Sequence, residues 1–182
     1  MALKKEVERS KDTFIIEHRR KHTDDQRLPP SWKTLELSSL GGLSKLYGNL
    51  KNNIGSKNEI AEHFGAVNHT YLPSWLLSIS QIRNICAHHG RLWNRNLPGT
   101  PKLLKSPPHP WILNVPQRSE FGHLYIHLCI IKYLLDRASP GHHFSGKLKA
   151  LLVKHPHIDE SALGLKKKWR EEPLWKDERV DW

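Results

Sequence analysis

The chain has 182 residues, of which 37% are hydrophobic and 26% charged, enough for one domain with a sizeable core and an ordinary solvated surface. Its 29 Lys and Arg against 18 Asp and Glu give a formal net charge of +11 with all 13 histidines neutral. An excess of that size attracts polyanions and weakens with salt, although a basic surface that binds nothing is the competing reading. Two cysteines, Cys86 and Cys129, argue against a disulfide framework and fit a reducing compartment. The N-terminus is charged from Lys4 onward, which excludes a signal peptide pattern. Apolar runs such as 124–131 are too short and too interrupted to cross a bilayer, so a soluble, cytoplasmic protein is expected.

In chain order, nearly every segment has helical periodicity. Residues 3–21 predict a charged helix with Val7, Phe14 and Ile15 on one narrow face. Leu28-Pro29-Pro30 breaks the chain, and Ser31 is placed to cap the next helix. Trp32, Leu35, Leu40, Leu43, Leu46 and Leu50 predict one or two helices interrupted near Gly41-Gly42. Residues 56–64 predict a short capped helix ending at Gly65. Another helix is expected over 72–89, with Pro73 in its first turn and Trp75, Ile79, Ile82 and Cys86 as a core stripe.

Six prolines, at 98, 101, 107, 108, 110 and 116, argue against regular structure over 94–118, and a loop of that length has a job or is mobile. Phe121, Leu124, Leu128, Ile131 and Leu135 define the strongest periodic segment, a helix over 119–138. A further helix is expected over 144–154 and a turn or two over 159–163. Trp169, Trp175 and Trp182 in the charged tail can fold back onto the bundle. No segment has the alternating period of a strand, so the fold class is all-α. Residues 1–28 form an N-terminal helical unit and 29–182 the main helical domain.

The chemistry concentrates in Arg83-Asn84-Ile85-Cys86-Ala87-His88-His89-Gly90-Arg91-Leu92. At about 100° per residue, Asn84 and His88 share a helix face roughly opposite the apolar stripe, and Arg83 lies on its flank. A guanidinium grips two phosphate oxygens without ever losing its charge, and an imidazole moves protons near neutral pH. Cleavage of RNA by its own 2′-hydroxyl needs those two functions, with Asn84 orienting the ring or touching substrate. Arg and His on one helix are, however, more often a structural pair or a solvated face.

Arg91, Arg95, Lys102 and Lys105 come after the motif and are candidates for phosphate contacts, with a solvated basic loop as the alternative. Trp93 either stacks on a base or plugs the core, and the phase of His89 beside the apolar stripe gives it a structural role. His18/His22 and His123/His127 have the spacing of a helical metal pair but lack the accompanying ligands, so no metal is assigned. Nor is any cofactor. Lys166-Lys167-Lys168 reads as a solvated face, with RNA contact the lesser alternative.

The block from Ile82 to Arg95 is similar to the central block of the Abi-like proteins, the AbiD/AbiF group of bacterial abortive-infection proteins. Pro30-Ser31-Trp32 with Glu36, the Leu43-Ser44-Lys45-Leu46-Tyr47 segment, and Trp169 followed by Pro173-Leu174-Trp175 agree with it. The resemblance implies the HEPN superfamily of helical bundles, in which facing R-x4–6-H motifs of a homodimer make one ribonuclease site. It implies catalysis by Arg83 and His88 with support from Asn84, a 2′,3′-cyclic phosphate and 5′-hydroxyl product, and no metal. It also implies phage defence, with an antitoxin protein or small RNA as the restraining partner. Abi-like proteins usually carry a further N-terminal region, which would make 1–28 the remnant of a longer one. The alternative function is a non-catalytic RNA-binding or helical interaction module, an inactive fragment of a longer protein.

Overall fold

Charge without apolar continuity limits what the N-terminal residues can build alone. A computed structural model describes residues 2–25 and 27–176, and there the N-terminal segment forms two helices, α1 (Ala2–Arg9) and α2 (Thr13–Lys21). The break falls at Ser10 and Asp12, whose side chains bond each other at 2.6 Å, while the Asp12 amide donates to the Ser10 hydroxyl at 3.1 Å. Such local bonds compete with the helical ladder, which is why the expected single helix over 3–21 does not form. The Arg19 guanidinium then donates to the Val7 carbonyl, tying α2 back to the end of α1, and Val7 and Ile15 are buried.

Helices α3 (Ser31–Glu36), α4 (Leu40–Asn49), α5 (Gly55–His63) and α6 (Leu72–Ala87) come next in the chain. Ser31 is the first residue of α3 and caps nothing; the turn is held by Thr34, whose hydroxyl donates to the Pro29 carbonyl at 2.7 Å. The interruption expected at Gly41-Gly42 lies earlier, at 37–39, where Ser39 accepts from the Gly42 amide at 3.1 Å and caps α4. Gly41 has a packing role: a Cβ there would stand 3.1 Å from the Ser80 hydroxyl, so α4 can approach α6 closely.

The α4–α6 pair is the most extensive helix contact, with Ser44 donating to the Pro73 carbonyl at 2.9 Å. Helix α6 accepts Pro73 in its first turn as expected. It buries Leu72, Trp75 and Ile82 but leaves Cys86 exposed, so the apolar stripe ends one turn sooner than its spacing implies.

Helix α7 (Leu124–Ala138) starts later than the pattern predicts, after a 3-10 turn at Arg118–Glu120. Its deepest residues are Ile126, Cys129, Ile130 and Tyr133, rather than the Leu124-Leu128-Ile131-Leu135 stripe. Burial on several sides is the reason: a helix covered by α6, the 94–118 segment and the tail has no single inner face. Helix α8 (Phe144–Lys154) and the 3-10 turn Glu160–Leu163 lie where expected. Trp169 and Trp175 fold back and are fully buried edge-to-face, 5.0 Å between centroids; Trp182 lies outside the described residues.

The Pro-rich segment is part of the core. Leu97, Leu104, Trp111 and Ile112 are buried, and Trp111 meets Tyr133 edge-to-face at 5.2 Å. With prolines and no ladder of its own, the segment is fixed by side chains. Glu172, itself 5% exposed, accepts the Leu113 amide at 2.5 Å, the Asn114 amide at 3.1 Å and the Asn114 side-chain amide at 2.7 Å. Among the described residues there is no strand, and the fold is all-α. No helix among them is long and apolar enough to cross a membrane.

Candidate functional site

Helix α6 changes character at Ile82. Up to that residue alternate turns are buried; beyond it Arg83, Asn84, Cys86, Ala87, His88 and His89 are all exposed, and only Ile85 stays partly in the core. The last turn and a half therefore stands out of the bundle and presents the motif to solvent. Arg83 donates to the Asn84 side-chain oxygen at 3.2 Å, so guanidinium and amide already form a unit. His88 closes the helix: its amide donates to the Asn84 carbonyl at 3.0 Å, one turn back.

The helix terminates there in a specific form. His89 takes φ 54 and its amide reaches the Cys86 carbonyl at 3.0 Å, while the Gly90 amide reaches the Ile85 carbonyl at 2.7 Å. This pair of bonds is the Schellman motif, which normally places glycine in the left-handed position. Helix α5 ends the same way with Gly65 at φ 76, its amide on the Glu62 carbonyl at 2.8 Å and that of Ala66 on the Ala61 carbonyl at 2.9 Å. In α6 a histidine occupies the place. His89 thus has a backbone role, though from an exposed position rather than from beside the apolar stripe.

Arg91 and Arg95 are exposed just past the helix, and the Arg95 guanidinium lies 3.4 Å from where a Gly90 Cβ would be. Lys102 and Lys105 are exposed as well, but the chain takes them elsewhere. The segment runs back along α6, and at Lys102 its amide donates to the Ser74 hydroxyl at 3.1 Å while its carbonyl accepts the Trp75 indole N–H at 2.7 Å. Ser74 precedes His88 by fourteen residues, so the Lys102 backbone sits about 21 Å from the motif end of the helix. The two arginines accompany the motif, and Lys102 marks the opposite end of α6, with Lys105 three residues further along the chain. Contiguity in the sequence does not reveal this reversal.

Trp93 is 38% exposed and so plugs no core; its indole donates to the Asp159 carbonyl at 3.4 Å. His127 is buried against Ser78, whose hydroxyl pairs with Nδ1, and burial pushes its pKa down to about 4 against the nearby Phe121 carbonyl. The i,i+4 spacing with His123 reflects packing. The His18 and His22 rings lie 4.5 Å apart and tilted by 39°, and no group of three or more His, Cys, Asp or Glu suited to a metal occurs among the described residues. Lys166 pairs with Glu120 at 3.1 Å and Lys168 with Glu171 at 3.8 Å.

An all-α protein with a basic surface and an outward-facing Arg-Asn-His helix end is the class that fold and site define. Comparison with known families narrows it: the family model for Abi-like proteins matches residues 1–94, just over half of the chain, from α1 to one residue short of Arg95. The chain belongs to the Abi-like protein family. No curated protein and no solved structure matches it.

Proposed function

We propose that the protein is a HEPN-type RNA endonuclease acting in phage defence by abortive infection, with Arg83 and His88 as catalytic residues and Asn84 as their support. The observation that carries the reading is the joint exposure of these three side chains on the helix end, with Arg83 and Asn84 already bonded. Membership of the Abi-like family supports the biological setting. Chemistry then assigns the roles. A neutral His88 imidazole takes the proton of the 2′-hydroxyl, and the freed oxygen attacks phosphorus. The bond to the 5′-oxygen breaks, and a protonated imidazole supplies that oxygen with its proton, leaving a 2′,3′-cyclic phosphate and a 5′-hydroxyl. Arg83 neutralises charge on the non-bridging oxygens as it builds. Each imidazole role is worth roughly 10²–10⁴-fold.

Two imidazoles in opposite protonation states are supplied most simply by a homodimer whose copies bring their motifs together across a two-fold axis. Such an enzyme needs restraint in its host, and an antitoxin protein or small RNA would provide it. Arg91 and Arg95 belong to the RNA-binding surface beside the motif; Lys102, at the far end of α6, and Lys105 after it contact a longer substrate or another copy.

The test is incubation of the purified protein with end-labelled RNA in the presence of EDTA. Cleavage that persists with chelator, yields cyclic phosphate ends and disappears in His88→Ala is the expected result. Intact but retarded RNA, unchanged by that substitution, would make the protein a non-catalytic RNA binder. No affinity for RNA at low salt would leave a helical interaction module.

A further inference from the structure

Among the described residues, the indoles of Trp75, Trp111, Trp169 and Trp175 are in the core, and Trp32 and Trp93 are exposed at 68% and 38%. Of these two, Trp93 is the one built into a frame. Its ring edge is anchored by the hydrogen bond to the Asp159 carbonyl, 66 residues away, at 3.4 Å. The anchoring turn is itself fixed, because the Asp159 carboxylate accepts the Ser161 amide at 2.9 Å and its hydroxyl at 2.7 Å. Asn94, the next residue, takes φ 47, a left-handed turn conformation that asparagine adopts more readily than other residues with a side chain, and it turns the chain directly after the ring. The Arg91 guanidinium carbon lies 5.9 Å from the ring centroid. A large apolar ring is thus held by a polar contact at its edge, with a cation over one face, and left part-exposed. The ring comes five positions after His88, a separation that an extended chain spans in at most about 18 Å. It therefore lies within reach of a short oligonucleotide bound at the motif.

Resting on the nuclease reading, we infer that Trp93 is the base-stacking subsite of the RNA site, with Arg91 beside it for the adjoining phosphate, and that the substrate is single-stranded. Stacking on an aromatic ring requires a base free of its neighbours, which only unpaired RNA offers. The platform reads no hydrogen-bonding edge, so it fixes where the strand lies and not which base it carries.

The experiment measures binding of a fluorescein-labelled, single-stranded decaribonucleotide to the His88→Ala protein, which keeps substrate intact. One abasic position within the oligonucleotide weakens binding about tenfold. Trp93→Leu weakens the intact oligonucleotide by a similar factor, Trp93→Phe restores most of it, and Trp93→Leu no longer distinguishes abasic from intact RNA. That non-additivity is the signature of direct stacking. Abasic scanning that finds no sensitive position with Trp93 present overturns the inference whether or not the leucine variant folds. So does a penalty that persists unchanged in Trp93→Leu. Cleavage by the unsubstituted protein is measured separately. If it cleaves and Trp93→Leu leaves KM unaltered, the subsite is wrong and the nuclease stands; if it never cleaves yet binding depends on Trp93, the nuclease falls and the subsite stands.

Discussion

The amide of Gly90 donates to the carbonyl of Ile85 at 2.7 Å, and this bond fixes where the helix bearing Arg83, Asn84 and His88 stops. It depends on the absence of a side chain: a Cβ on Gly90 would stand 2.9 Å from Ile85 Cγ2 and 3.0 Å from its carbonyl oxygen. Backbone on one side and a branched, half-buried residue on the other cannot both yield. Gly90→Val is expected to cost about 1–3 kcal/mol in urea unfolding. It should depress RNA cleavage further than lost stability explains, because the His88 backbone moves with the helix end.

His89 is the complementary case. Its φ of 54 is strained for a residue with a Cβ, and glycine at the same place in α5 shows the relaxed solution. His89→Gly should therefore raise the unfolding free energy by about 1 kcal/mol and leave RNA cleavage intact. A stabilised protein that has lost cleavage would instead give the His89 ring a part in the chemistry.

The helical class and most element positions were legible because they depend on local periodicity: Trp75 and Ile82 on α6, Pro73 in its first turn, Gly65 after α5. The failures share a cause. The inner face of α7 and the burial of Leu97, Leu104, Trp111 and Ile112 are set by partners distant in sequence, which no short window records. Trp93 was ambiguous for the same reason, since its anchor is at Asp159. Arg83 and Asn84 carried their own signal; the left-handed turn at His89 carried none, because glycine is the residue such turns advertise.

His127 makes folding sensitive to acid. Burial lowers its pKa to about 4, whereas an unfolded histidine titrates near 6.5. Between those values the unfolded chain takes up a proton that the folded one refuses, so stability contributed by this residue is complete above about pH 6.5 and falls as pH drops toward 4. The loss is about 3 kcal/mol across that window. Urea midpoints at several pH values, compared with His127→Gln, isolate it from the other histidines: the variant should be flatter by about 1.4 kcal/mol per pH unit.

Lys57 is 2% exposed, yet each of its donors is used: the ammonium meets the carbonyls of Gly48 at 3.0 Å and Leu50 at 2.6 Å and the Asn52 side chain at 3.0 Å. The two carbonyls are orphan acceptors at the C-terminal end of α4, and Tyr47 completes the clasp by donating to the Lys57 carbonyl at 2.7 Å. Lys57→Met fills the same volume and strands the acceptors. It should cost about 2–4 kcal/mol in thermal or urea unfolding, far beyond a surface lysine such as Lys45.

Glu172 joins the tail to the Pro-rich segment, since its two oxygens take three N–H groups from Leu113 and Asn114. A backbone without its own ladder depends on such an acceptor, and removing it leaves two amides unpaired at the edge of the core. Glu172→Ala is expected to cost about 3 kcal/mol and to expose 94–118 to limited proteolysis. Glu172→Gln keeps an acceptor oxygen and should lie between the two. Because the same segment begins at the helix end bearing His88 and crosses α6 at Lys102, cutting it in Glu172→Ala should lower RNA affinity. Protease resistance equal to that of the unsubstituted protein would mean that Trp111 and Ile112 hold the segment without the carboxylate.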